Sequence, residues 1–123
     1  MKDELKPTNK LKEKAQIVFN AWIRRRDAGQ PCIACGEFKQ LQAGHFYSAG
    51  KFNHLRFNED NAHGQCMPCN YFLSGNLLPY RENLIKKIGQ ERFDTLSLLA
   101  QSRVTTKNDR FLYLEIISKY KTS

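Results

Sequence analysis

The feature that most constrains this chain is a pair of CxxC motifs, Cys32/Cys35 and Cys66/Cys69, with no other cysteine. Two intervening residues let both sulfurs of a pair turn toward one ion. Two such pairs supply the four thiolates of a closed tetrahedral Zn²⁺ site. Gly36 permits the tight turn that follows the first pair. A lone CxxC is shared with thioredoxin-like redox sites, but two pairs read as structural zinc. Four sulfurs leave no open coordination position, so this ion is expected to staple the fold and not to catalyse. The 30 residues between the pairs exceed the usual zinc-ribbon gap and are expected to form a structural unit of their own.

At 123 residues, one domain is the default reading, and its modest core gains from a staple. The net charge is +8, which points to a polyanionic partner, with nucleic acid the first candidate. Residues 1–30 carry eight Lys/Arg and four Asp/Glu, residues 31–70 three of each, and residues 71–123 nine and five. Two basic flanks thus bracket a neutral centre. No apolar run reaches the roughly 20 residues of a membrane span. The start, Met-Lys-Asp-Glu-Leu-Lys-Pro, has no apolar stretch for a signal peptide. A reducing cytoplasm is therefore expected, which again favours metal over disulfides.

The pattern predicts an α+β domain. A basic helix over 9–28 carries an apolar stripe at Leu11, Ala15, Val18 and Trp22, with Gly29 and Pro31 beyond its end. The zinc-bound core spans 31–73, with one strand over Leu41–Tyr47 and a second at Leu55–Phe57. The Asn58–Asn61 turn then caps a helix expected to run through His63, Cys66, Cys69 and Asn70 to Leu73. Helices over 79–88, 91–101 and 109–120 fill the region 76–121. Their core positions are Leu84, Ile85 and Ile88, then Phe93, Leu96 and Leu99, then Leu112, Ile116 and Tyr120.

Inside the insert, the sequence reads Ala43-Gly44-His45, then Asn61-Ala-His63-Gly-Gln-Cys66-Met-Pro-Cys69-Asn70. A His, an Asn and a later His or Asn around a CxxC resemble the layout of HNH nucleases, which wrap two strands and a helix around a divalent cation. Further stretches are similar to the NinG (Rap) family of phage recombination nucleases. These are Pro31–Gly36, Ala43–Phe46, Leu55–Glu59, Ser74–Leu77, Pro79–Arg81 and Ile88–Glu91. The similarity covers about residues 15–92.

The resemblance implies an HNH-type endonuclease that cuts D-loops and Holliday-type junctions in a bacterial host cell. A recombinase partner is implied too, and the two-fold symmetry of a junction would suit a homodimer. His45 is expected to deprotonate the attacking water, with Asn61 holding its ring. Asn70 is expected to ligate catalytic Mg²⁺ or Mn²⁺ through its carbonyl oxygen. Gly44 stands where many HNH enzymes carry a metal-binding Asp. His63, seven residues before Asn70 and so on one helical face, is the candidate substitute ligand or catalytic group, with a structural hydrogen bond the alternative role. Arg56, Lys51, Arg24, Arg25, Arg26, Arg81, Lys86 and Lys87 are the expected nucleic-acid contacts, with Lys10 and Lys14 beside them. Arg56 could instead pair with Glu59 or Asp60. Two alternatives share the zinc and the charge: a non-catalytic nucleic-acid-binding module, and a zinc-organised protein adapter.

Overall fold

The computed structural model describes residues 2–102 and 109–121. Helix α1 spans Thr8–Arg26 and follows Pro7, whose ring fixes the entry angle. It buries Leu11, Ala15, Phe19 and Ile23, each one turn beyond the last, so that Val18 and Trp22 fall at the edge of the stripe. Gly29 ends the segment with φ +83°, a conformation that glycine adopts without penalty. A two-stranded antiparallel hairpin follows, formed by β1 (Leu41–His45) and β2 (Ala62–Cys66). Leu41 lies opposite Cys66, and His45 opposite Ala62. Helices α2 (Leu77–Ile88), α3 (Gln90–Gln101) and α4 (Arg110–Tyr120) complete the chain. Asp109 caps α4 by accepting from Leu112 N at 3.1 Å. Positions 103–108, inside the expected C-terminal helical region, lie outside the described residues.

Two expectations are corrected. Leu55–Phe57 is not a strand: Asn53–Leu55 is a 3₁₀ turn in the long hairpin loop. The helix expected through His63 and Cys66 is strand β2, and only a five-residue π-helical turn, Pro68–Phe72, follows it. The reason lies in where the backbone bonds of this segment go. Gly64 N donates to Asp27 Oδ2 at 2.8 Å, and Gly64 O accepts from Ile33 N at 2.9 Å. Those groups are held by tertiary partners that a helix would forfeit. All five residues of β2 are buried, which erases the alternation that marks a half-exposed strand. The Asn58–Asn61 turn closes the hairpin loop instead of opening a helix.

The hairpin lies between two cores. In one, Cys32, Cys66 and Cys69 pack with Leu55, Tyr80, Leu84, Phe93 and Leu96. In the other, the α1 stripe and Ala62 pack with Tyr113, Ile116, Ile117 and Tyr120 of α4. Leu99, expected in the core, is 43 % exposed.

Asp27, buried at the end of α1, joins these parts. It accepts from Arg26 Nε and Nη2 at 2.9 Å, from Lys87 Nζ of α2 at 3.0 Å and from Gly64 N of β2. Burial opposes its ionisation, but these donors hold the carboxyl well below the usual carboxylate range. His63 sits beside it with both ring nitrogens engaged, Nδ1 by Arg26 Nη2 at 3.0 Å and Nε2 by Asp60 O at 2.9 Å. Burial, with Lys87 and Arg26 nearby, lowers its pKa from 6.5 to about 4.

The unfolded chain therefore binds a proton at His63 that the folded chain refuses, so stability falls as pH drops from 6.5 toward 4. The loss from this residue is about 3 kcal/mol over that window. His45, also lowered by burial, adds with the same sign. Urea unfolding at pH 7 and pH 5 should show a smaller pH-dependent loss for His63→Gln than for the parent; an equal loss would remove His63 from the account.

Candidate metal centre and hairpin site

The four sulfurs all lie within 4.8 Å of one another, and the Cys35 and Cys66 sulfurs are 3.7 Å apart. Zinc–sulfur bonds of about 2.3 Å in a tetrahedron place sulfurs about 3.8 Å apart, so the cluster could hold a zinc ion. Cys32, Cys66 and Cys69 are buried, while Cys35 is exposed. Backbone donors aim at the sulfur of Cys32: Ala34 N at 3.4 Å and Cys66 N at 3.3 Å. Burial disfavours its thiolate, yet these N–H groups bring the pKa down to about 7. Burial pushes Cys69 up to about 12, partly offset by Asn76 Nδ2 at 3.6 Å.

The loop after the second knuckle is wound against this cluster. Ser74, Gly75 and Asn76 all have positive φ, at +50°, +90° and +47°. Each non-glycine residue in that region costs on the order of 1–2 kcal/mol. Gly75 N donating to Cys69 O at 2.9 Å and Gln65 Nε2 donating to Gly75 O at 2.6 Å hold the loop there.

Gln65 also explains Gly44. A Cβ built on Gly44 would lie 2.0 Å from Gln65 Oε1 and 2.8 Å from Gln65 Cβ. The space that a side chain at position 44 would need is filled from the opposite strand. Among the described residues, Gln65 Oε1 is the buried side-chain polar atom with no hydrogen-bond partner.

His45 ends β1 and is largely buried, with its ring 6.4 Å from that of Phe19. Its Nε2 lies 3.0 Å from Arg56 O. Burial lowers its pKa below 6.5. The sequence-based expectation that Asn61 hydrogen-bonds the His45 ring is not met; Asn61 instead pins the loop after His45. Its Oδ1 accepts from Tyr47 N at 2.8 Å, and its Nδ2 donates to Tyr47 O at 2.9 Å and to Leu55 O at 3.2 Å. Asn70 Nδ2 donates to Gln42 Oε1 at 3.0 Å. Among the described residues no hydrogen bond joins Asn70 to His45. His63 is on strand and not on a helical face shared with Asn70, which removes the reason for reading it as a ligand.

The expected nucleic-acid contacts divide. Arg26 and Lys87 are spent on Asp27, and Arg26 also donates to Glu59 O and Ala62 O. Arg25 reaches Tyr120 O at 3.0 Å, and the Arg81 guanidinium lies 5.1 Å from the Phe93 ring centre. Lys10 and Lys14 are paired with Glu13 and Asp3. Arg24, Lys51 and Lys86 are exposed. Arg56 does not pair with Glu59 or Asp60; those acids meet Tyr120 and Arg92 instead. Sequence reasoning missed Asp27, although a lone acid directly after three arginines was a visible sign.

The family described as Bacteriophage Lambda NinG protein matches residues 1–123. The chain belongs to the NinG family. It is 48% identical to Protein ninG of Escherichia phage lambda over 94 residues, which is 75% of this chain and 46% of that protein. It is 41% identical to Protein ninG of Salmonella phage P22 over 120 residues, 95% of this chain and 59% of that protein. The chain thus spans about half the length of the curated NinG relatives that it matches. No solved structure matches it. No described helix of this NinG chain is long and apolar enough to cross a membrane.

Two outcomes follow from this geometry. The purified chain should carry one zinc per molecule by elemental analysis, and a strong chelator should lower its unfolding temperature by more than about 10 °C. A zinc-free chain with unchanged melting would contradict the staple. Gly44→Ala should cost about 1–3 kcal/mol in urea unfolding, by overpacking against Gln65.

Proposed function

We propose that this chain is a metal-dependent endonuclease of the HNH type, acting on branched DNA, in which His45 activates the attacking water. The hydrogen bond between His45 Nε2 and Arg56 O carries the reading. A carbonyl oxygen only accepts, so Nε2 holds the ring proton and Nδ1 keeps the lone pair. Burial lowers the pKa, which favours the neutral ring, the form that can accept a proton. Asn61 fixes the loop between Tyr47 and Leu55, and with it the position of the Arg56 carbonyl.

The donor set suits a hard cation in kind. Asn70 and Gln65 would hold it through amide oxygens, and Gln65 Oε1 is the buried oxygen left unpartnered. A bound Mg²⁺ or Mn²⁺ would supply positive charge at the phosphate and the leaving oxygen. His45 Nδ1 takes a proton from water, and the resulting hydroxide attacks phosphorus. The P–O3′ bond breaks, leaving a 5′-phosphate and, once the leaving oxygen gains a proton from solvent, a 3′-hydroxyl. Both protein donors are neutral, so the DNA phosphate must contribute the negative charge that an Asp at position 44 would have given. The preference for junctions and D-loops rests on the family resemblance.

A second reading, a zinc-stapled nucleic-acid-binding module without catalysis, is favoured by that lack of a carboxylate. Cleavage of a labelled four-way junction by zinc-loaded protein separates the two. Omitting Mg²⁺ and Mn²⁺ serves as the control, because a chelator would also strip the structural zinc. Cleavage should need the added cation and fall at least about 100-fold in His45→Ala. Salt-dependent binding without any cleavage by the parent protein would favour the second reading.

A further inference from the structure

The guanidinium of Arg56 is held without a counter-charge. Its Nε donates to Asn53 Oδ1 at 2.7 Å, its Nη1 to Gln16 Oε1 at 3.0 Å and its Nη2 to Ala49 O at 3.2 Å. All three acceptors are neutral, and among the described residues no carboxylate forms an ion pair with Arg56. The side chain is part-buried, so its charge is less screened than that of a surface arginine. Gln16, which bridges it to α1, lies one turn after Lys12 on the same helix face. Lys12 is partly buried and likewise forms no ion pair among the described residues. Arg56 lowers its pKa, after burial, which agrees with two cations held close together.

Arg56 also lines a cavity of about 270 Å³ with Asn53, His54, Asn58 and residues of α4, none of them acidic. Two cations held together without a carboxylate are costly unless an anion completes the site. An arginine fixed by its neighbours suits phosphate oxygens, whose geometry its planar fork matches. The carbonyl of this same residue orients the ring of His45.

We propose that Arg56 and Lys12 together bind one backbone phosphate of DNA at the seam between α1 and the hairpin loop, beside His45. The position relative to the cleaved bond rests on the nuclease reading; the binding of phosphate does not. Arg56, held by three hydrogen bonds, would be the fixed contact, with Lys12 beside it on α1. The contact reads charge and not base sequence.

The test is fluorescence anisotropy of the zinc-loaded protein with a labelled four-way junction, without Mg²⁺ or Mn²⁺, over a range of salt concentrations. Lys12→Gln and Arg56→Gln should each weaken binding 3- to 10-fold by order of magnitude and reduce the slope of log K against log salt by about one. Lys39→Gln, which removes a charge already paired with Glu37 at 2.8 Å, should leave the slope nearly unchanged. Arg56 also ties the loop to α1, so melting and zinc content of each variant are measured first. If Arg56→Gln fails to fold, Lys12→Gln on the helix surface decides the matter. Folded variants that keep the parent slope would overturn the proposal, even if the protein cleaves DNA. A lost slope in a protein that never cleaves would uphold it and reject only the nuclease reading.

Discussion

Four sulfurs within 4.8 Å of one another join the knuckle before the hairpin to the turn that follows it. This closure fixes the rest. With Cys66 held against Cys32, the residues before Cys66 run back along β1, and His45 falls opposite Ala62 at the loop end of the hairpin. The loop between the strands is then free to be long, because Asn61 and the Tyr47 backbone close it. On the other side of the knuckle, three left-handed residues lead into α2, whose Tyr80 hydroxyl donates to Gly44 O at 2.6 Å. Strain in that loop is sustained by the Cys69 carbonyl and by Gln65. Loss of the ion should therefore disturb the hairpin before the helices.

Asp27 provides the second tie. It draws together the end of α1, the middle of β2 and the end of α2, three places far apart in sequence. Its donors more than offset the cost of burying a carboxylate. The positive charges of Arg26 and Lys87 are neutralised in part by this buried carboxylate. The net charge of +8 therefore overstates the number of unpaired cations.

Helices and the cysteine cluster were legible in the sequence because both leave local marks. The α1 stripe, the Gly89 stop after Ile88 and the two CxxC pairs depend on near neighbours alone. Strand β2 left no such mark: buried on both faces, Ala62–Cys66 shows no alternation, its ladder is to β1, and the Gly64 backbone bonds to residues 27 and 33. Reading it as a helix carried a false neighbour relation between His63 and Asn70. The residues His45, Asn61 and Asn70 could be picked out, but the atoms they touch depend on hairpin register. The Gln65 side chain that fills the space above Gly44 is a cross-strand fact invisible to any window along the chain.

The protonation state of His45 links this architecture to chemistry. A ring that donates from Nε2 to Arg56 O must present Nδ1 as a base. The most direct measurement is a long-range ¹H–¹⁵N correlation spectrum of the zinc-loaded protein at neutral pH, with His45 assigned by comparison with His45→Gln. A neutral ring with its proton on Nε2 and a bare Nδ1 is the result predicted. A proton on Nδ1, or a doubly protonated ring at neutral pH, would contradict the account.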